Sequence, residues 1–383
     1  MRIAVVGPTY PFRGGISHYN TLLCDHLRER HEVRLFSFRR QYPRWLFPGM
    51  SDRDPSQHSI RTPNTPTLDS LNPLTWWLTA QHIVAFRPDL LILHWWVTYW
   101  ALPFAAITAW VSRRGIPVLY LCHNVFPHER KPWDRFLTRL AMSRACRFIV
   151  MAKSEEQRIK DLLPGATVYR TLLPGGIGVA EAEHSVSPEE ARQQLGLDPD
   201  KPVALFFGFV RPYKGLRFLL DAMPRVLAKM EMHLLVAGEF WDGKGEYQEI
   251  IERLGLGNSV TIVDRYVRNE EISVFFSAAD VVVLPYVSVT QSAVVQLAFA
   301  FGKPVITTAV GDLPDVVQHR ETGFVVSPGD SNALADALTC FFANGWGESM
   351  RAKILSRQPI YSWTHLGALL EDIAHEIISA GPK

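Results

Sequence analysis

Residues 281–308 read VVVLPYVSVTQSAVVQLAFAFGKPVITT. Three valines and a leucine open the segment as a buried strand, and a polar loop follows through Ser288, Thr290, Gln291 and Ser292. An apolar run then continues to Phe301, where Gly302 supplies a helix-closing turn and Pro304 bars further helix before a second strand. Strand, helix and strand in that order make a crossover unit, which pairs its two strands in parallel.

The same alternation repeats outward from this unit. In the second half PVALFFGFV, HLLVAGEF, SVTIVDRYV, DVVVLPY, KPVITTAV and GFVVSPGD read as strands, each followed by helix-like sequence. In the first half RIAVVG, EVRLFSF, DLLILH, PVLYLCHN and RFIVMA are strands, and SHYNTLLCDHLRER, PLTWWLTAQHIVAF and WDRFLTRLAMSRAC are helices. Such alternation predicts two sheets of parallel strands with helical crossovers. Residues 171–200 break the pattern with Gly, Pro and small polar residues, as a connection between domains does. A chain of 383 residues is also too long for one ordinary core. The expected division is an N-terminal Rossmann-like domain over 1–178, a C-terminal one over 179–360, and an amphipathic helix within 361–383. Two helix starts are predicted from capping chemistry: Ser154 with Gln157, and Ser187 with Pro188 and Glu190. Residues 40–70 show little periodicity and are expected to form a long loop.

Composition narrows the function classes. A formal net charge of +2 lacks the dominant basic field of a nucleic-acid binder, so no nucleic-acid partner is expected. The four cysteines, Cys24, Cys122, Cys146 and Cys340, include no CxxC pair, which argues against a zinc site or disulfide framework and suits a reducing cytosol. The start MRIAVVGPTYPF is a first strand rather than a signal peptide, since Gly7 and Pro8 cut its apolar run short. LLILHWWVTYWALPFAAITAWV at 90–111 approaches spanning length, but His94 and Pro103 interrupt it, and a strand followed by a buried helix is expected. The predicted location is cytoplasmic, with peripheral contact at the inner face of a membrane as an added expectation.

Open parallel sheets bind ligands beyond the carboxyl ends of their strands, so residues just after strands are the candidates. Gly14 and Gly15 precede the first helix, where backbone N–H groups can receive a phosphate; a simple turn is the plainer alternative. His123 follows a strand and can act as acid, base or hydrogen-bonding group; His128 and Glu129 are weaker candidates in the same turn. Arg211 and Lys214 begin a helix-like segment, and helix starts ordinarily favour acids, so two cations there suggest diphosphate binding. Glu239, Ser288, Thr290, Gln291 and Ser292 complete the candidates, the last four as hydroxyl and amide groups suited to sugar or phosphate or as plain caps.

Together these residues resemble the family 4 glycosyltransferases, retaining enzymes of the two-Rossmann GT-B fold. The resemblance covers nearly the whole chain and is densest in FFGFVRPYKGLRFLLDAM, YVRNEEISVFFSAADVVVLPY, FGKPVITTAVGDLPDVV and ETGFVVSPGD. It implies transfer of a sugar from a UDP- or GDP-sugar to an acceptor hydroxyl, with no cofactor and no metal. By motif position, Arg211 and Lys214 would hold the donor diphosphate, Gly14 and Gly15 would lie near the phosphates, and His123 would stand beside the donor sugar. The final helix would cross back to the N-terminal domain.

One departure stands in residues 284–305. The family's paired glutamates, eight residues apart, fall at Val289 and Leu297. Gln291 and Gln296 flank those positions, and TQSAVVQLAFAF resembles a recurrent glutamine-bearing variant, so a catalyst with Gln291, Gln296 and the 288–292 backbone contacting the sugar is expected. Trp95, Trp96 and Trp100 are candidates for an acceptor site that stacks sugars, or for core. The basic-aromatic stretches 39–47 and 129–147 suit an anionic membrane surface, in keeping with a glycan or lipid-linked acceptor, or are ordinary solvated faces. The rival readings are a sugar epimerase or phosphorylase on the same fold, and a nucleotide-sugar-binding protein with impaired catalysis.

Overall fold

The structure is a computed structural model, and it describes residues 1–46, 51–57, 61–127, 130–175, 186–241 and 243–380. The chain divides into two compact units. One comprises Met1–Asp54, Ser59–Pro174 and Ser362–Lys383, and the other Pro55–His58 and Gly175–Tyr361. The expected boundary at 178 lies outside the described residues.

The first unit runs β1 (Arg2–Val6), α1 (Gly15–Arg28), β2 (Glu32–Arg40), β3 (Asn64–Asp69), α2 (Pro73–Phe86), β4 (Leu90–Trp95), α3 (Ala101–Ser112), β5 (Val118–Cys122), α4 (Asp134–Met142), β6 (Arg147–Val150), α5 (Lys153–Leu162) and β7 (Val168–Arg170). Its strands form one parallel sheet in the order β3-β2-β1-β4-β5-β6-β7. The central strands LLILHW and VLYLC are buried at every position, as parallel strands covered by helices on both faces must be.

The second unit runs α6 (Pro188–Gln194), β8 (Val203–Phe207), α7 (Leu216–Leu227), β9 (His233–Ala237), α8 (Lys244–Arg253), β10 (Val260–Val263), α9 (Ile272–Ala278), β11 (Val281–Leu284), α10 (Ala293–Ala300), β12 (Val305–Thr308), α11 (Leu313–Val316), β13 (Gly323–Val326), α12 (Ser331–Ala343) and α13 (Trp346–Arg357). Its parallel sheet has the order β10-β9-β8-β11-β12-β13. The opening segment is β11-α10-β12, with Val282 opposite Val305, Val283 opposite Ile306 and Leu284 opposite Thr307. A final helix, α14 (Trp363–Ala380), belongs to the first unit, where Glu371 bonds His31 at 2.9 Å and Arg30 at 3.0 Å in the turn between α1 and β2.

In each sheet the strand order reverses once, between β1 and β4 and between β8 and β11. Those switch points open a crevice at the carboxyl ends of the strands. The fold class is therefore the expected one, two Rossmann-like α/β units.

Three local expectations change. Residues 40–70 contain strand β3, NTPTLD, which lacks apolar alternation and carries Pro66. It is an edge strand, the position in a sheet that tolerates proline. Ser154 is not a cap, because α5 starts at Lys153 with Ala152 at its N-cap. The buried-helix expectation for α3 fails on one side, where Leu102 is 53% exposed. The other predicted cap forms: Ser187 Oγ accepts the Glu190 N–H at 3.2 Å while the Glu190 carboxylate accepts the Ser187 N–H at 3.2 Å.

Candidate functional site

In the second unit, the loops after β8, β9 and β11 converge at the switch point. After β8, Arg211–Lys214 is extended and then a 3-10 turn, not the first turn of α7, so the helix-start argument holds only loosely. Gly215 follows with φ 70°, and a Cβ there would lie 1.9 Å from the Pro285 carbonyl oxygen. Only glycine allows the β8 and β11 loops to approach this closely. The Val287 N–H completes the junction by donating to the Tyr213 carbonyl at 2.8 Å.

Lys214 thereby meets a residue the sequence reading missed. Its Nζ donates to the Tyr286 hydroxyl at 2.9 Å, and Tyr286 in turn lies 3.3 Å from Ser292 Oγ. Burial pulls the Lys214 ammonium toward neutrality, but Tyr286 and Tyr213 more than offset this and hold its pKa above the ordinary lysine value. Arg211 sits over the rings of Tyr213 and Trp241, 5.5 and 5.4 Å from their centroids. Phe209 packs at a tilt against the same tryptophan, with centroids 4.5 Å apart. Two fixed cations thus stand against an aromatic wall, an arrangement able to take a planar ring and a polyanion together. Tyr286 and Trp241 each sit a few positions past a strand end, the signal that could have found them.

The β11–α10 loop is pinned on its other side by Gly311, whose φ is 55° and whose Cβ would meet the Val289 carbonyl oxygen at 2.2 Å. Asp312 N–H donates to the Thr290 carbonyl at 3.0 Å. Thr290 and Ser292 are buried, Gln291 is half-buried, and Ser288 is exposed. Gln296, in α10, is 2% exposed, and its Oε1 has no hydrogen-bond partner among the described residues. Glu239, two residues past the end of β9, is buried. Leu297 is buried, while Val289 is half-buried.

In the first unit, Gly14 is the N-cap of α1 with φ 107°, and the helix has no acid in its first turn. His123 follows β5 and is 5% exposed. Its Nε2 lies 3.0 Å from Nδ1 of His94, the penultimate residue of β4. Tyr19 of α1 packs edge-on to both imidazoles, with centroids 5.8 Å from His94 and 4.9 Å from His123. Burial pushes the His123 pKa down to about 3, and burial and His123 together drive His94 well below its ordinary value. Both rings are neutral at pH 7, so His123 offers a hydrogen bond rather than a charge.

The tryptophan expectation is corrected. Trp95 and Trp100 are 0% exposed within the first unit's core, and Trp95 Nε1 donates to the Val125 carbonyl at 3.1 Å. Neither presents a face for a sugar. Trp96 is half-buried, with its Nε1 bonded to the Tyr42 hydroxyl at 2.8 Å. His128 and Glu129 lie outside the described residues.

Family models match in two blocks: a glycosyl transferase 4-like domain over residues 14–175 and the glycosyl transferases group 1 over residues 201–344. Each block is similar to a glycosyltransferase family, and the two matches fall one in each unit. An uncharacterised glycosyltransferase of Methanocaldococcus jannaschii is 27% identical over 199 residues, 51% of this chain and 50% of the relative. D-inositol 3-phosphate glycosyltransferase of Segniliparus rotundus is 38% identical over 141 residues, 36% of this chain and 31% of the relative. Among solved structures, HepE of Anabaena in complex with UDP shares the GT-B architecture, with a TM-score of 0.74 at 18% identity, covering 98% of this chain and 100% of that one. The chain spans about half or less of the length of these curated relatives.

Proposed function

We propose that this GT-B protein is a retaining, metal-independent glycosyltransferase. It moves a hexosyl group from a UDP- or GDP-sugar to a hydroxyl of a glycan or lipid-linked acceptor, in cell-surface polysaccharide or glycolipid synthesis at the inner face of a membrane. The observation that carries the reading is the chain Lys214–Tyr286–Ser292 at the ends of β8 and β11, with Arg211 beside it. The UDP held by HepE supports a nucleotide donor.

In this reading the second unit binds the donor and the first shapes the acceptor site, with α14 folded back on the first. The bond between the anomeric carbon and the diphosphate oxygen breaks, and a bond from the acceptor oxygen forms on the same face. Arg211 and Lys214 stabilise the negative charge that grows on the diphosphate, which is the work a metal would otherwise do. A diphosphate oxygen accepts the acceptor's proton as it leaves. Within the first unit, Gly14 and Gly15 give α1 an N-terminus able to accept an anion, and His123, held neutral, offers a hydrogen bond to a hydroxyl without adding a charge. Glu239, Ser288, Thr290, Gln291, Ser292 and Gln296 take the sugar contacts, and Trp96 is the remaining aromatic candidate for the acceptor.

The test is a panel of UDP- and GDP-sugars, read by calorimetric binding and by slow hydrolysis of the bound donor. Micromolar binding of one donor, with released sugar of unchanged anomeric configuration by NMR, is the expected result. No binding to any member sinks the reading. Tight binding with no hydrolysis and no transfer would favour a binding protein, for which Val289 and Leu297 in place of the paired acids are the specific observation.

A further inference from the structure

Helices α2, α3 and α4 lie side by side over one face of the first sheet. Neither α2 (PLTWWLTAQHIVAF) nor α3 (ALPFAAITAWVS) contains a single Asp, Glu, Lys or Arg. A helix that is apolar all round belongs in a core or against lipid. Here only one face reaches a core: Thr75, Thr79, Ile83 and Phe86 of α2 and Phe104, Ile107 and Val111 of α3 are buried. The opposite faces carry Leu74 at 70% exposure, Trp77 at 48%, Leu78 at 44% and Leu102 at 53%. Trp77 of α2 reaches Trp110 of α3, ring centroids 6.4 Å apart, so the two faces are continuous. On α4, Phe136 is 69% and Leu140 41% exposed. On α2 and α4 these positions recur at three- and four-residue spacing, which aligns them on one side of each of the two helices.

Along α3 and α4 the exposed charge is mainly cationic, while Asp69 and Asp89 flank α2. The sole acid in the three helices, Asp134, is buried, accepting from the Thr98 hydroxyl and the Lys131 N–H. Exposed cations border the apolar face: Arg113 and Arg114 at the end of α3, Lys131 before α4, Arg139 within it and Arg144 after it. Two of them fold onto aromatic rings, Arg114 over Trp110 at 4.0 Å and Lys131 over Trp133 at 5.6 Å. Trp133 is itself 56% exposed. Apolar side chains, interfacial tryptophans and a cationic rim suit the boundary between acyl chains and anionic headgroups. No helix among the described residues is long and apolar enough to cross a membrane.

We propose that the outer face of α2, α3 and α4 docks the protein on an anionic lipid bilayer. Leu74, Trp77, Leu102 and Phe136 enter the acyl boundary while the cations meet the headgroups. This deepens the peripheral contact proposed above and extends it from the basic-aromatic stretch 129–147, which holds α4, to α2 and α3, neither of which carries a charged residue. It rests on that reading only for the acceptor's location, not for the donor chemistry.

Co-sedimentation of the full chain with vesicles tests it, comparing phosphatidylcholine alone with phosphatidylcholine containing phosphatidylglycerol. Binding is expected only with the anionic lipid, weakening as salt rises and shifting tryptophan emission to the blue. Leu74→Glu with Phe136→Glu, and separately Arg139→Glu with Arg144→Glu, should each lower partitioning about tenfold or more. Both pairs are surface changes, and unaltered circular dichroism and nucleotide binding check that the fold survives. Equal binding to both lipids, or no effect of either pair, overturns the proposal. So does a concentration-dependent dimer dissolved by the same substitutions, which would assign the face to a second copy. No vesicle binding by the unaltered chain, with its nucleotide binding intact, would remove this proposal and leave the transferase reading standing.

Discussion

The carboxyl ends of the two sheets are built on opposite electrostatic plans. In the second unit the loops beyond β8 and β11 bring together two permanent cations, a phenol and a hydroxyl, and the lysine is held firmly charged. In the first unit the ends of β4 and β5 meet in two imidazoles that burial keeps neutral, with Tyr19 packed against both. The topologies are alike, so the difference comes from which side chains follow the strands. A charged end suits a diphosphate that gains charge as its bond breaks. A neutral end suits a sugar ring that turns positive, where a cation would repel and a carboxylate would trap. The proposed division of labour rests on that contrast.

The strongest way to break it is Lys214→Ala. Removing a buried charge-assisted partner should weaken UDP or GDP binding about a hundredfold, since such hydrogen bonds contribute roughly 1.5–3 kcal/mol each. Tyr286→Phe keeps the ammonium and removes only its orienting hydroxyl, so about a tenfold loss is expected. Unchanged affinity in Lys214→Ala, measured by calorimetry on a folded variant, would mean that the second sheet's charged end is not the diphosphate site.

Much of this was legible in the sequence where local chemistry decides structure. The strand-helix alternation gave both sheets, because buried parallel strands must be continuous apolar runs. The Ser187–Glu190 cap was legible because both partners lie within four residues. Strand β3 was not: an edge strand packs few side chains, so NTPTLD carries no apolar period. Tyr286 was missed for a related reason. Its role depends on Gly215 letting one loop lie against another, a contact across 70 residues of chain. Trp95 and Trp100 show the converse error. Tryptophans after a strand look like a sugar platform, yet here Phe104 and Phe38 pack against them in the core.

The first unit's neutral end can be probed through pH. His123 has a folded pKa near 3 against an unfolded value of about 6.5, so the unfolded chain binds the extra proton between those limits. Its contribution is therefore fully present above pH 6.5 and is lost as pH falls toward 3. Going from pH 7 to pH 5 should remove about 2 kcal/mol through this one group, at roughly 1.4 kcal/mol per pH unit below 6.5. His94 shifts in the same direction. Thermal midpoints across pH 5–7 should thus fall steeply in the wild type and much less in the His94→Gln/His123→Gln double variant. Parallel slopes in the two proteins would show that these imidazoles are not the buried neutral pair the contrast requires.

The smallest effect concerns how the second unit contacts the sugar without its motif acids. Gln296 Oε1 is buried and unpartnered among the described residues, a state that costs stability unless a ligand completes it. Gln296→Met keeps the length of the side chain and removes the amide. If the oxygen is kept for a sugar hydroxyl, the substitution should leave the thermal midpoint unchanged or raise it, while donor affinity falls about threefold to tenfold, the worth of one neutral hydrogen bond. The nucleoside diphosphate without its sugar should bind the variant as it binds the wild type. A lowered midpoint with unchanged donor affinity would make Gln296 a packing residue of α10. The second unit's sugar contacts would then have to come from Glu239 and the Ser288–Ser292 loop, because Val289 and Leu297 have no polar group in their side chains to give.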